Sequence, residues 1–157
     1  MMPVSVKQCN EMKLAGLMMP MSLLANRTQM LWRQFMQRRK ELGSVVSEKL
    51  ISLQQYEPEY FTDFNPGRTF KKWALQEVAN LELLPEGMQG FVLEAGLYAV
   101  FQYKGMPGNA EVFRYIFLEW LPASAYILDQ RPHFEVMGAG YRNDDPHSEE
   151  EIWIPIR

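Results

Sequence analysis

Apolar residues recur at two different periods along this chain, and the change of period marks its elements. After Asn109, a helix-capping side chain preceded by Pro107 and Gly108, the residues Val112, Phe113, Ile116, Phe117, Trp120 and Leu121 repeat at i, i+3 and i+4. This spacing predicts an amphipathic helix that Pro122 ends. A second helix is predicted from Asn26 or Thr28 to about Leu42, with Leu31, Trp32, Phe35 and Met36 on its apolar side, Arg33, Arg38, Arg39 and Lys40 elsewhere, and Gly43 as its stop. Each helix follows an apolar run of strand character, residues 13–24 and 91–103. Each precedes two shorter extended segments, 49–56 and 69–79 after the first helix and 133–137 and 151–156 after the second.

The order strand, helix, strand, strand thus occurs twice, over about 12–80 and 90–157, with a turn-rich linker at 84–90. The expected fold is α+β: two duplicated units in one domain spanning 1–157, building one antiparallel-rich sheet with both helices on one face and an open ligand cleft on the other. Successive strand residues face opposite sides, so in the last strand Ile152, Ile154 and Ile156 form one row and Glu151, Trp153 and Pro155 the other. With the isoleucines under the helices, Glu151 and Trp153 face the uncovered side, joined by Trp73 and Glu77 from the equivalent strand of the first half. On the central strand, Tyr98 faces one way and Phe101 and Tyr103 the other; the latter pair is placed toward the cleft. Two indoles and one or two carboxylates on a concave surface suit a flat, amphipathic cation.

Composition narrows the alternatives. With 157 residues, 47% of them hydrophobic, and a net charge of -3, the chain can bury about 69% of its unfolded surface and needs no staple. The single Cys9 points to a reducing, cytoplasmic setting. An overall acidic chain has no electrostatic grip on nucleic acid or anionic lipid. Residues 14–25 have the length of a signal peptide, but Glu11 and Pro20 fit one badly, and no run reaches membrane-spanning length. His147 lies beside Asp144, Asp145 and Glu149 to Glu151 at no ligand-motif spacing, so no metal or cofactor is expected. No nucleophile elbow, phosphate loop or dinucleotide fingerprint occurs.

Four segments in order carry a family likeness: Leu97-Tyr98-Ala99-Val100-Phe101-Gln102-Tyr103-Lys104-Gly105, Tyr115-Ile116-Phe117-Leu118-Glu119-Trp120-Leu121-Pro122, Arg131-Pro132-His133-Phe134-Glu135-Val136 and Glu151-Ile152-Trp153-Ile154-Pro155-Ile156. Together with Trp73-Ala74-Leu75-Gln76-Glu77-Val78, they resemble the GyrI-like small-molecule-binding domains, which also serve as effector-binding domains of AraC-type and MerR-type regulators. The resemblance implies two strand-helix-strand-strand units about a pseudo-twofold axis, with an acidic residue on the last strand recognising lipophilic cations among aromatic rings. Glu151 matches that position. About a dozen residues precede the first strand, too few for a helix-turn-helix, so no DNA-binding domain is expected.

The expected function is small-molecule binding, in sensing, sequestration or transcription regulation. Glu151, Trp153 and Trp73 would be the principal contacts and Glu77, Phe101, Tyr103 and Tyr98 the surroundings, with a regulatory protein as a further partner. The resemblance offers two alternatives: a hydrolase of strained cyclopropane-containing toxins, using Glu151 with Tyr103 or Tyr98, or a gyrase-inhibitor-like protein-interaction module.

Overall fold

Both predicted helices form, and they lie on one face of a single sheet of eight antiparallel strands. The structure is a computed structural model that describes residues 2–138, 141, 142 and 144–157. The strands are β1 (Val4–Cys9), β2 (Met12–Met21), β3 (Val45–Gln55), β4 (Phe70–Val78), β5 (Gln89–Leu93), β6 (Gly96–Lys104), β7 (His133–Met137) and β8 (Glu149–Pro155). The first helix is α1 (Thr28–Arg38). The second runs from α2 (Ala110–Arg114) through a π-helical turn (Tyr115–Trp120) into α3 (Leu121–Ala123). Asn109 caps α2 by accepting a hydrogen bond from the Glu111 N–H at 3.0 Å. Pro122 lies one residue inside the helix end, and its ring would collide with the carbonyl of Leu118 in a regular α-turn. The wider π-turn immediately before it makes room.

Strand order across the sheet is β1-β6-β8-β7-β3-β4-β2-β5. From the central β7–β3 pair outward, each half runs first post-helix strand, second post-helix strand, pre-helix strand. The predicted run 91–103 is two strands, broken at Glu94 and Ala95, and β5 takes in the end of the expected linker. Two residues separate β1 from β2 and two separate β5 from β6, although the members of each pair lie six strand spacings apart. In a flat sheet that is about 29 Å, whereas three Cα steps reach about 11 Å. The sheet must therefore curl until its edges approach each other. The helix-free face is the inside of the curl, and one apolar cluster there joins Cys9, Leu14 and Leu93 with the central Leu53 and Phe134.

Two positions in β2 show how the sequence allows this. A Cβ on Gly16 would stand 1.9 Å from the Ala74 carbonyl oxygen, so only glycine lets β2 pass β4 so closely. Pro20, unsuited to a central strand, pairs with β4 alone, because β5 has already ended opposite Gly16. At the end of α1, Gly43 is not the left-handed stop. The helix tightens into a 3-10 turn at Arg39–Glu41, and the positive φ, 57°, falls at Ser44. Among the described residues no helix is long and apolar enough to cross a membrane; residues 14–21 of the signal-like stretch lie in β2.

Candidate functional site

Parity places Glu151, Trp153, Trp73 and Glu77 on the helix-free face. The register Met18, Trp73, Leu53, Phe134, Trp153, Val100 forms one continuous row there. Three strand spacings, about 14 Å in a flat sheet, separate the two tryptophans. Leu53 and Phe134 fill the interval. Phe134 stacks on Trp153 with centroids 5.1 Å apart and planes at 17°, and Tyr98 meets both rings edge-on. Tyr98, Val100, Leu53 and Phe134 are buried. The rim of this row is polar: Glu151 accepts hydrogen bonds from the Gln102 amide at 3.0 Å and the Trp153 indole at 3.2 Å, and the Trp73 indole donates to Gln55 at 3.0 Å. The Tyr98 hydroxyl donates to the Pro132 carbonyl at 2.7 Å, and its ring carries the Arg131 guanidinium at 4.7 Å. Burial pushes that phenol above its ordinary range.

Phe101 and Tyr103 are not with this group. Phe101 pairs with Ile152 and Tyr103 with Glu150, so both stand on the isoleucine side under the second helix, where Phe101 meets Trp120 edge-on at 5.0 Å. The physical reason is the two-residue repeat of a strand: Tyr98 is inside the curl, so the odd-numbered members of β6 are outside it. Glu151 and Tyr103 therefore lie on opposite faces of the sheet and do not face one substrate as acid and phenol. The Tyr103 hydroxyl donates to the Met106 carbonyl at 2.8 Å.

The helix face holds a second constellation. α1 covers β2 and β4, and the second helix covers β6 and β8, which leaves the central strands β3 and β7 as the floor of a groove between the helices. On that floor the register sets Ser52 opposite Glu135 and Gln54 opposite His133, with Lys72 beside Gln54 and Glu150 beside Met137. Among the described residues, one Glu135 carboxylate oxygen, Oε2, is buried without a hydrogen-bond partner. Burial pushes the Glu135 carboxyl up, and the Lys72 ammonium pulls it partly back. Glu150 is pushed up to about 7 by burial and by the Glu135 charge, against the pull of Lys72. Lys72 is pushed down by burial.

Aromatic rings close one side of the groove. Tyr56 lies 4.9 Å from His133 and 4.9 Å from Phe61, and burial and the neighbouring Glu135 charge raise its phenol. Burial drives His133 down to about 3, so its imidazole is neutral over the physiological range. The Tyr141 phenol is raised to about 12 by burial and by the charges of Glu150 and Glu135. The charge of one lysine thus acts on two carboxylates. Such a floor can hold a cation, and its aromatic wall can take flat groups.

This set was missed, yet its signal was present. If Ile152, Ile154 and Ile156 face the helices, so does Glu150, and β3 alternates Ile51 and Leu53 with the polar Ser52 and Gln54.

A family model described as the GyrI-like small molecule binding domain matches residues 2–157. The chain belongs to this family. No curated protein matches it by sequence. Among solved structures, SAV2435 bound to tetraphenylphosphonium is similar at a TM-score of 0.72 and 17% identity, covering 99% of this chain and 94% of that one. The EcmrR C-terminal domain is similar at 0.74 and 10%, covering 99% and 98%. A Listeria innocua hydrolase is similar at 0.60 and 8%, covering 98% and 91%. At these identities the likeness carries the fold.

Proposed function

We propose that this GyrI-like domain binds a lipophilic cation in the groove between its helices, with Glu150 and Glu135 as the negative floor, and so serves in sensing, sequestration or transcription regulation. The buried, unpartnered oxygen of Glu135 carries the reading. The charge of Lys72 is spread over two carboxylates without a close ion pair to either among the described residues, so an entering cation stabilises their ionised form. The ligand of SAV2435, a tetraaryl cation, has the charge such a floor would take. The inside of the curl supports binding less well, since Glu151, one of the acids on that face, already accepts two hydrogen bonds and the rings there pack on each other.

Titration calorimetry with tetraphenylphosphonium and with neutral triphenylphosphine oxide tests this. Glu150→Gln is expected to weaken the cation at least tenfold at pH 8 and the neutral compound less than twofold, while Glu151→Gln changes neither. Wild-type affinity for the cation is expected to rise between pH 6 and 8 as Glu150, near 7, gives up its proton. Equal losses for both compounds, or a loss confined to Glu151→Gln, would refute the groove reading.

A further inference from the structure

The groove already holds an aromatic ring of the protein's own. Between β3 and β4 the chain makes a long irregular connection, residues 56–69, whose backbone hydrogen bonds close mostly on itself: Tyr60 to Glu57, Asp63 to Glu59 and Arg68 to Asn65, with the Arg68 guanidinium donating to the Glu59 carbonyl at 2.8 Å. Its neighbouring rings diverge. Tyr60 is 2% exposed and packs in the cluster of α1 with Leu31 and Phe35. Phe61 reaches toward the other half. It stacks on His133 with centroids 5.3 Å apart and planes at 8°, and on Phe117 of the second helix at 5.6 Å and 29°. The connection is therefore a strap across one side of the groove, anchored by Tyr60 and inserted by Phe61.

The insertion is shallow. Phe61 remains 39% exposed although two rings stack on it. Surface recesses of about 300 Å³, bounded by Tyr56, Glu57, Thr69 and Phe70 among others, and about 430 Å³, bounded by Glu57, Glu59, Asp63 and Arg68 among others, flank the strap. Phe61 joins the acidic floor through Tyr56, which touches the Phe61 and His133 rings and feels the Glu135 charge.

We infer that Phe61 is a built-in occupant of an aryl subsite: its ring stands where an aromatic group of the bound molecule stacks on His133 and Phe117, and binding withdraws it. This rests on the groove reading above and adds to it the subsite, the aryl character of the ligand and an internal competitor. The imidazole there is neutral, so it accepts the ring of a cationic molecule without repulsion. A site whose open form is only fractionally populated binds more weakly by that fraction, and removing the competitor restores the affinity.

The test is tetraphenylphosphonium titration of Phe61→Ala beside wild type and Glu150→Gln, with thermal melts confirming that each is folded. Phe61→Leu serves if the alanine variant is not. Phe61→Ala is expected to bind about fivefold more tightly, the scale of the stacking that the ligand no longer displaces. In wild type carrying 4-fluorophenylalanine at position 61, saturating tetraphenylphosphonium is expected to move the ¹⁹F resonance to its solvent-exposed position. Binding that depends on Glu150 but is unchanged or weaker in Phe61→Ala, or that leaves the resonance in place, overturns the role of Phe61 alone. No binding in any form, or binding insensitive to Glu150→Gln, overturns the groove reading and this inference with it.

Discussion

Glu150→Gln is expected to change how stability depends on pH even with no ligand present. The wild-type carboxyl has a pKa of about 7 in the folded chain against 4.5 in the unfolded one. Between these values the folded state binds the proton more tightly, so stability is lost as pH rises from about 4.5 to about 7. At about 1.36 kcal/mol per pH unit the loss is at most about 3 kcal/mol, an upper value because the side chain keeps some contact with water. His133 acts with the opposite sign. Its folded pKa of about 3 lies below its ordinary 6.5, so its neutral burial contributes stability above 6.5 that is lost as pH falls toward 3. Over 4.5–6.5 these two contributions nearly cancel, while the raised Glu135 carboxyl adds to the loss from Glu150 as pH rises. Glutamine retains the shape of the protonated acid and cannot ionise. The variant should match wild type near pH 4 and exceed it at pH 8, by about 5–10 °C in Tm for a chain of this size. Differential scanning calorimetry at half-unit pH steps measures the difference. Equal Tm at pH 8, or a variant less stable there, would show that Glu150 is solvated or well paired, and the strained acidic floor would be refuted.

Other outcomes follow from the same structure. His133→Phe keeps the stack on Phe61 and removes the titration, so its acid unfolding midpoint, followed by circular dichroism, is expected to move to lower pH; no movement would mean that His133 is not buried in its neutral form. Gly16→Ala forces β2 away from the Ala74 carbonyl and is expected to cost about 3 kcal/mol in urea unfolding, whereas Gly43→Ala, with nothing within 4 Å of the new methyl, should stay within about 0.5 kcal/mol of wild type. Comparable losses at both glycines would contradict the close approach of β2 and β4.

Much of the fold is local in origin. Helix spacing around Leu31 and Phe35 and around Val112 and Ile116, the Asn109 cap and the alternation of β8 are properties of neighbouring residues, and they announced the elements, the isoleucine side of the sheet and the tryptophan side opposite it. Alternation says which residues share a face. It does not say whether that face is open, because this depends on curvature, and the curvature comes from the two-residue links that draw the edge strands β1 and β5 toward β2 and β6. Those links turned the expected cleft into a packed interior and left the space between the helices as the groove. The groove floor is equally a product of distant pairing: β3 meets β7 across some eighty residues of chain, and only that contact sets Ser52 and Gln54 against Glu135 and His133. Burial then changes what these groups are chemically. A carboxylate, an imidazole and an ammonium that would be ordinary in an extended chain acquire shifted proton affinities once water is removed and one lysine must serve two acids, a condition that exists only when all eight strands are assembled.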